Sequence, residues 1–402
     1  MEVTYKQISN IAMTLFFAVA LNPEWSSNSI FWWGSTFFAF GVYVATHHFS
    51  VPFRITQFKT WFILFFGVCL LSIPFGISIS NSLNTMKTLV VLMIILFVMD
   101  DEIQTEYDLE NFMQMYMIAA FIMMLYVVLN VDLNNFQLSQ HGWADTGMWN
   151  GNDVGLKCAV FLIFFLYFFD SDKRVFKRFI LLVGAVLALV LLYFTASRKA
   201  LLIAVFGIAL YYYFKHPNKR FRNLLIILFG IYMLFQLVMN VPELYEAIGW
   251  RIEGMLSLVT GQGAADSSAL LRAQYIKVGL DAFKESPIIG YGIDNYRYIN
   301  LRETGHLTYS HNNFIDLLVG VGCIGLFVYY SYYIKLTCDF LRLYFRRNAS
   351  MLLNTTAICF LFFFAMHIAV VSYNDTFQNI LIVFFAKALV IQKSSIVTEE
   401  LE

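Results

Sequence analysis

Three side chains in this 402-residue chain have the types that phosphate chemistry needs, and they stand where an apolar sequence has little use for them. Arg198 separates two apolar stretches in Ser197-Arg198-Lys199-Ala200. Arg272 lies in Leu271-Arg272-Ala273-Gln274, and His311 opens a long apolar run in Ser310-His311-Asn312-Asn313. A guanidinium offers a planar fork of donors that matches phosphate oxygens. A neutral imidazole takes a proton from a hydroxyl, and an unperturbed one titrates near 6.5. Singly, each has an ordinary reading: Arg198 a snorkelling interfacial charge, Arg272 an arginine on a loop helix, His311 a polar boundary residue. Lys199, Asn312, Asp316, Tyr291 and His367 accompany them, with Lys87, Asp153, Lys157 and Asp375 on the same side of the chain's topology. Together they make a polar, partly cationic pocket at one membrane face. It suits a substrate with a phosphate at the interface and a long lipid tail. A polyprenyl diphosphate carrying a sugar fits, and the reaction would be glycosyl transfer with the diphosphate leaving.

The elements that must position these residues are apolar helices. Hydrophobic residues make up 59% and charged residues 13% of the chain, with 42 Phe and 23 Tyr. That composition excludes a soluble globular enzyme and a disordered protein. Lys+Arg 27 cancels Asp+Glu 27, which excludes a nucleic-acid binder. A transmembrane helix needs about 20 mostly apolar residues. About twelve segments qualify, near 6–22, 28–46, 60–79, 86–99, 112–130, 154–169, 177–196, 199–214, 221–240, 311–334, 350–371 and 376–392. The runs are continuous rather than alternating, which excludes a membrane β-barrel. The first run has the makings of a signal peptide, with Lys6 before it and Ala18-Val19-Ala20 near its end; a retained first span is the preferred reading. With the N-terminus inside, sixteen Lys and Arg, among them Arg54, Lys59 and Lys393, fall in inside segments, against four (Lys87, Lys157, Arg198 and Lys199) in short outside ones. Both termini are then cytoplasmic. The expected fold is all-α and polytopic, one transmembrane domain over 1–402. A helical extracytoplasmic subdomain at 241–310 joins spans nine and ten. In that loop, 242–259 shows amphipathic helical spacing. A second helix, capped by Asp266 or Ser267, runs to Glu285 and stops at Ser286-Pro287.

Other motifs carry less. Gly290-Tyr291-Gly292 has the last three residues of a potassium-channel filter, but Ile-Ile precedes it and too many spans surround it. Asp170-Ser171-Asp172 has the DxD form of metal-binding transferases, yet it is a cytoplasmic turn before Lys173-Arg174, on the wrong face. No outside carboxylate pair has metal spacing. Cys69, Cys158, Cys323, Cys338 and Cys359 lie in or beside apolar runs without CxxC spacing and read as small apolar residues. Lys387, within the last span, reads as structural, snorkelling toward the cytoplasm.

Three local signatures, in order, resemble the bacterial O-antigen ligase and Wzy-type O-antigen polymerase superfamily. They are Ser197-Arg198-Lys199-Ala200 between two spans, Arg272 ahead of Phe283-Lys284-Glu285-Ser286-Pro287-Ile288-Ile289-Gly290-Tyr291-Gly292, and His311-Asn312-Asn313-Phe314-Ile315-Asp316-Leu317-Leu318 followed by Gly320-Val321-Gly322-Cys323-Ile324-Gly325. They cover about 195–330; residues 1–190 share only hydropathy with the family. The resemblance implies a GT-C-type membrane glycosyltransferase without metal or other cofactor, acting on undecaprenyl-diphosphate-linked glycan. Arg198 and Arg272 would hold the donor diphosphate and His311 would be the base for the acceptor hydroxyl. Lys199, Asn312, Asp316, Tyr291 and His367 are the further substrate-binding candidates. The expected setting is the bacterial inner membrane, with membrane lipids around it, a flippase and a chain-length regulator as candidate partners, and no nucleic acid. Polymerisation of repeat units of O-antigen, capsule or exopolysaccharide is the leading reading. Ligation of finished glycan to lipid A–core is the alternative within the family. A transporter of the same lipid-linked glycan is the alternative outside it, and it predicts charge through the bilayer centre and repeats between halves.

Overall fold

The computed structural model describes residues 5–48, 54–130, 150–195, 197–245, 249, 253, 267–346 and 349–399. Each apolar segment becomes a helix: α1 Tyr5–Leu21, α2 Pro23–Ser27 (a short connector), α3 Ser29–Thr46, α4 Gln57–Ser72, α5 Ile79–Glu102, α6 Glu106–Asn130, α7 Gly151–Ser171, α8 Val175–Thr195, α9 Arg198–Lys215 and α10 Arg220–Asn240. After the long loop come α11 Ser267–Glu285, α12 Tyr296–Thr304, α13 Asn313–Phe345, α14 Met351–Met366 and α15 Thr376–Glu399. Among the described residues there is no strand. Eight of these helices are long and apolar enough to cross a membrane, and α1 and α14 are shorter apolar helices. Their outward faces carry large apolar side chains, among them Leu71, Phe221 and Phe327, each more than 70% exposed. Such a surface is stable only against lipid, so the chain is an integral multi-pass membrane protein. The helix starts are fixed by polar caps that satisfy otherwise orphaned N–H groups: Thr56, Ser78, Asn150, Ser197, Asn312 and Ser350 each accept from the first turn. Of the loop helices expected before span ten, 267–285 forms as α11. The amphipathic segment 242–259 is helical at Pro242–Leu244 and otherwise lies mostly outside the described residues, as does Asp266.

α7 is the central element, with Phe161 and Phe164 fully buried. Aromatic rings fill the middle of the bundle: Tyr116 packs on Phe17 at 5.0 Å and on Phe161 at 5.3 Å, and Phe360 stacks on Phe385 at 4.5 Å. Lys59 departs from its sequence reading. It is not in a loop but in the first turn of α4, fully buried, with its ammonium 2.6 Å from Asp101 and 4.0 Å from Asp100. Lys387 does not snorkel either. It is buried and donates to the Asp100 carbonyl at 2.8 Å. These two lysines on α4 and α15 meet two aspartates at the end of α5, so each buried charge is paired. The Asp170-Ser171-Asp172 turn is likewise ion-paired: Asp170 to Lys215 at 2.6 Å, Asp172 to Arg174 at 2.6 Å and Lys177 at 2.9 Å.

The glycine-rich signature resolves into a kink. α13 runs 33 residues, well beyond the expected 311–334, but Gly322 inside it has φ 66° and ψ −169°. A kink frees backbone groups that lipid cannot satisfy. Here the loop 287–291 satisfies them: Tyr291 N–H donates to the Val319 carbonyl at 2.8 Å, and Cys323 N–H to the Pro287 carbonyl at 2.9 Å. The two backbones pass so closely that a Cβ on Gly290 (φ +78°) would stand 2.5 Å from the Val319 oxygen. The loop is then latched to the ends of α4 and α5. Ser72 Oγ accepts from Ile293 N–H at 3.1 Å, Ser82 Oγ donates to the Ile293 carbonyl at 2.8 Å, and Asn295 accepts from Ser78 N–H at 2.7 Å. This places α12, and everything on it, against one end of the bundle.

Candidate functional site

At that end a cavity of about 360 Å³ opens between the starts of α7, α9 and α15, the loop before α13 and the helices α11 and α12. Its wall includes Lys199, Arg272, Arg297, His311, Tyr373 and Asp375. Residues from six separate stretches of sequence therefore meet in one polar hollow, which is the arrangement expected of a binding site rather than of a packed core.

Of the residues singled out from the sequence, Lys199, Arg272, His311, Asp153 and Asp375 come together here. The Ser197 cap starts α9 so abruptly that Arg198 and Lys199 occupy its first turn, and consecutive helical residues point in different directions. Lys199 faces the cavity, its ammonium donating to the Ala369 carbonyl at 2.7 Å. Arg198 is half-buried beside it and is not on the wall. Asn312 and Asp316 serve the backbone. Asn312 caps α13, accepting from Phe314 and Ile315, while Asp316 accepts from Ser310 N–H at 3.1 Å and its hydroxyl at 2.8 Å, shaping the turn that presents His311. Tyr291 lies away from the cavity and donates to Glu285 at 3.0 Å. His367 ends α14, buried behind the wall, with Nδ1 3.1 Å from the Tyr330 hydroxyl and its carbonyl accepting from Asn313 N–H at 2.7 Å.

Two features mark the cavity as more than a surface dent. Among the described residues three non-glycines have positive φ, and two of them, His311 (55°) and Asp294 (60°), line it. Non-glycine residues hold that conformation at a cost of about 1–3 kcal/mol, and only where surrounding contacts enforce it. The second feature is electrostatic. Burial, with Arg272 and Lys199 nearby, pushes the His311 imidazole down from 6.5 to about 4. Burial first, and then the two cations, disfavour a further positive charge on the ring. His311 is neutral at pH 7, with Tyr309 packed on its ring at 4.1 Å. Asp375 moves the other way, raised to about 6 by burial and by Asp153, with Lys157 opposing.

Sequence reasoning missed Asp294, Arg297, Tyr309, Tyr373 and Gln378 on the wall. Arg297, on α12, is gripped by Asp294 at 2.7 Å, and Asp294 in turn accepts from the Thr85 hydroxyl at 3.0 Å. Nothing in the local pattern distinguishes Arg297 from an ordinary loop arginine. Tyr373 comes from the turn between α14 and α15, and Gln378 from the first turn of α15. The interhelical turn is pinned by the Asn313 side chain, which accepts from Ser372 and Tyr373 N–H at 2.8 and 3.1 Å. Asn313 stands in the His311-Asn312-Asn313 signature, and that signature was the available clue.

Chemically the cavity offers three cations, Lys199, Arg272 and the Asp294-paired Arg297, with a neutral imidazole, the carboxyls of Asp153 and Asp375, and neutral polar side chains. Residues 183–330 match the family model described as O-antigen ligase. The match takes in Lys199, Arg272, Arg297, His311 and the glycine kink. It bears out, over that segment, the superfamily resemblance carried by the three signatures. No curated protein matches the chain.

Proposed function

From a segment of O-antigen ligase type that contains the cavity's cations and histidine, we propose that the chain is a membrane glycosyltransferase that polymerises undecaprenyl-diphosphate-linked oligosaccharide repeat units at the extracytoplasmic face. The observation that carries this is the convergence of Lys199, Arg272 and a neutral His311 on one polar cavity. Arg272 and Lys199 bind the donor diphosphate, with Arg198 adding positive charge next to them. The acceptor hydroxyl attacks the anomeric carbon, its proton passes to His311, and the bond from that carbon to the diphosphate oxygen breaks. The undecaprenyl diphosphate leaves with the electron pair, its charge met by Arg272 and Lys199. These cations can carry the leaving-group charge, which supports a metal-independent reaction. The long sugar chain exits on the side where α11 and α12 lie, and the lipid tail rests along the apolar helix faces.

The ligase reading uses the same donor site and differs only in the acceptor. The test is incubation of the purified protein in nanodiscs with lipid-linked repeat units, with and without lipid A–core, in EDTA. A ladder of glycan lengths without lipid A–core is expected. Transfer that occurs only onto lipid A–core would make the chain a ligase.

A further inference from the structure

The cavity wall is of two kinds. Lys199 and Arg272 bring positive charge to one part of it. The rest of the wall is neutral or acidic, with Asp153 and Asp375 on it. Arg297 is paired with Asp294 at 2.7 Å, and Tyr373 and Gln378 are neutral. Tyr373 is 1% exposed, yet its hydroxyl and Arg297 Nε have no hydrogen-bond partner, while the Gln378 side chain faces His367. Buried polar groups are seldom left so, and two around one cavity point to a ligand that supplies the missing partners. That ligand is not the phosphate. Phosphate oxygens only accept, so they would suit the Tyr373 and Arg297 donors but have no proton to give the Asp294 carboxylate. A sugar offers hydroxyls that both donate and accept, which matches a carboxylate, a phenol and a guanidinium side by side.

We propose that Asp294, Arg297, Tyr373 and Gln378 form a saccharide-reading subsite beside the Lys199–Arg272 diphosphate subsite. The inference rests on the lipid-linked glycan reading above and adds the residues that recognise its sugar. The subsite is held ready before any ligand arrives. Asp294 is fixed by Thr85 and by its left-handed backbone. The turn bearing Tyr373, with Gln378 just after it, is tied by Asn313 and by Asn379, whose amide donates to the Ser372, Tyr373 and Asp375 carbonyls at 3.3, 3.3 and 2.7 Å. Groups aligned in advance bind a polar ligand without further ordering cost.

The test compares binding of two lipids to the full-length protein in nanodiscs: sugar-free undecaprenyl diphosphate, and the lipid-linked repeat unit extracted from cells lacking this protein. Tyr373→Phe and Gln378→Met should keep undecaprenyl diphosphate affinity within about twofold, which also reports that they fold. They should weaken the lipid-linked repeat unit about five- to tenfold, the loss expected for one hydrogen bond in an enclosed site. Arg272→Gln should weaken both. Free repeat-unit oligosaccharide should compete with the lipid-linked repeat unit in the wild type and less well in the two variants; competition equally strong in the variants would overturn the subsite. Equal weakening of both lipids, or wild-type affinity for the glycan-bearing one, would overturn the subsite. A wild-type protein that binds neither lipid would overturn the functional reading itself.

Discussion

Replacing Arg272 by Gln should change the acidity of His311 without touching it. The imidazole sits at about 4 for three reasons, in descending order burial, Arg272 and Lys199. The substitution removes the second and keeps the first. A nearby like charge moves a titrating group by about one pH unit or more, so the midpoint should rise to about 5, still short of 6.5 because burial persists. Diethyl pyrocarbonate acylates only neutral imidazole, and peptide mass spectrometry reads each of the seven histidines separately. The rate of His311 modification, followed from pH 3.5 to 8, then gives its titration in both proteins without any need for turnover. Bound undecaprenyl diphosphate should act in the same direction as the substitution, because its negative charge offsets both cations. The acid limb of kcat should therefore lie above that of kcat/KM, which reports the free enzyme. A His311 midpoint near 6.5 in the wild type, or one unmoved by Arg272→Gln, would refute the arrangement of charges described here.

Asp375, raised to about 6, is protonated below that pH and charged above it. As pH rises through 6 the cavity gains a negative charge, so donor KM should rise; Asp375→Asn, which keeps the helix cap, should flatten that rise, and a wild-type KM unchanged from pH 5 to 7.5 would contradict it. Gly322→Ala puts a side chain at φ 66° against the Ile288 backbone. It should cost about 1–3 kcal/mol, measurable as a lower thermal unfolding midpoint; an unchanged midpoint would mean that the kink is not enforced. The exposed Lys284, replaced by Cys after the five native cysteines are removed, should react with an impermeant maleimide on cells whose outer membrane is opened but whose inner membrane is intact. Labelling only after lysis would invert the orientation.

Much of the helix plan is legible in the sequence because a continuous apolar run can satisfy its backbone in lipid only as a helix. Each of the twelve runs overlaps one of α1, α3 to α10 and α13 to α15, but α4 and α14 stop short of the expected ends at 79 and 371, and eight of the helices are long and apolar enough to cross a membrane. What periodicity cannot supply is partnership at long range. Lys59 looks like a loop charge until Asp101 is seen beside it, and Lys387 looks like a snorkelling one until Asp100 is. Arg198 and Lys199 are adjacent cations, and only the start of α9 decides which of them faces the cavity. Arg297 gains meaning from Asp294 and Thr85, and Thr85 comes from a helix some two hundred residues earlier. Asn312, Asp316 and Tyr291 sit in the right signatures, yet they shape turns rather than line the wall. Proximity in sequence to a functional residue marks both the residues that touch a ligand and those that hold the backbone in place, and geometry alone separates them.

The proposed reaction is glycosyl transfer from a lipid diphosphate with His311 as the base. Its most direct test is the stoichiometry of lipid release during single turnover in nanodiscs. One undecaprenyl diphosphate should appear for each glycosidic bond formed, in the presence of EDTA. The rate should fall about 10²–10⁴-fold in His311→Ala and stay low in His311→Gln, since an amide positions a hydroxyl but cannot take its proton. Release of the lipid as monophosphate, or a His311→Ala protein that forms bonds at the wild-type rate, would contradict it.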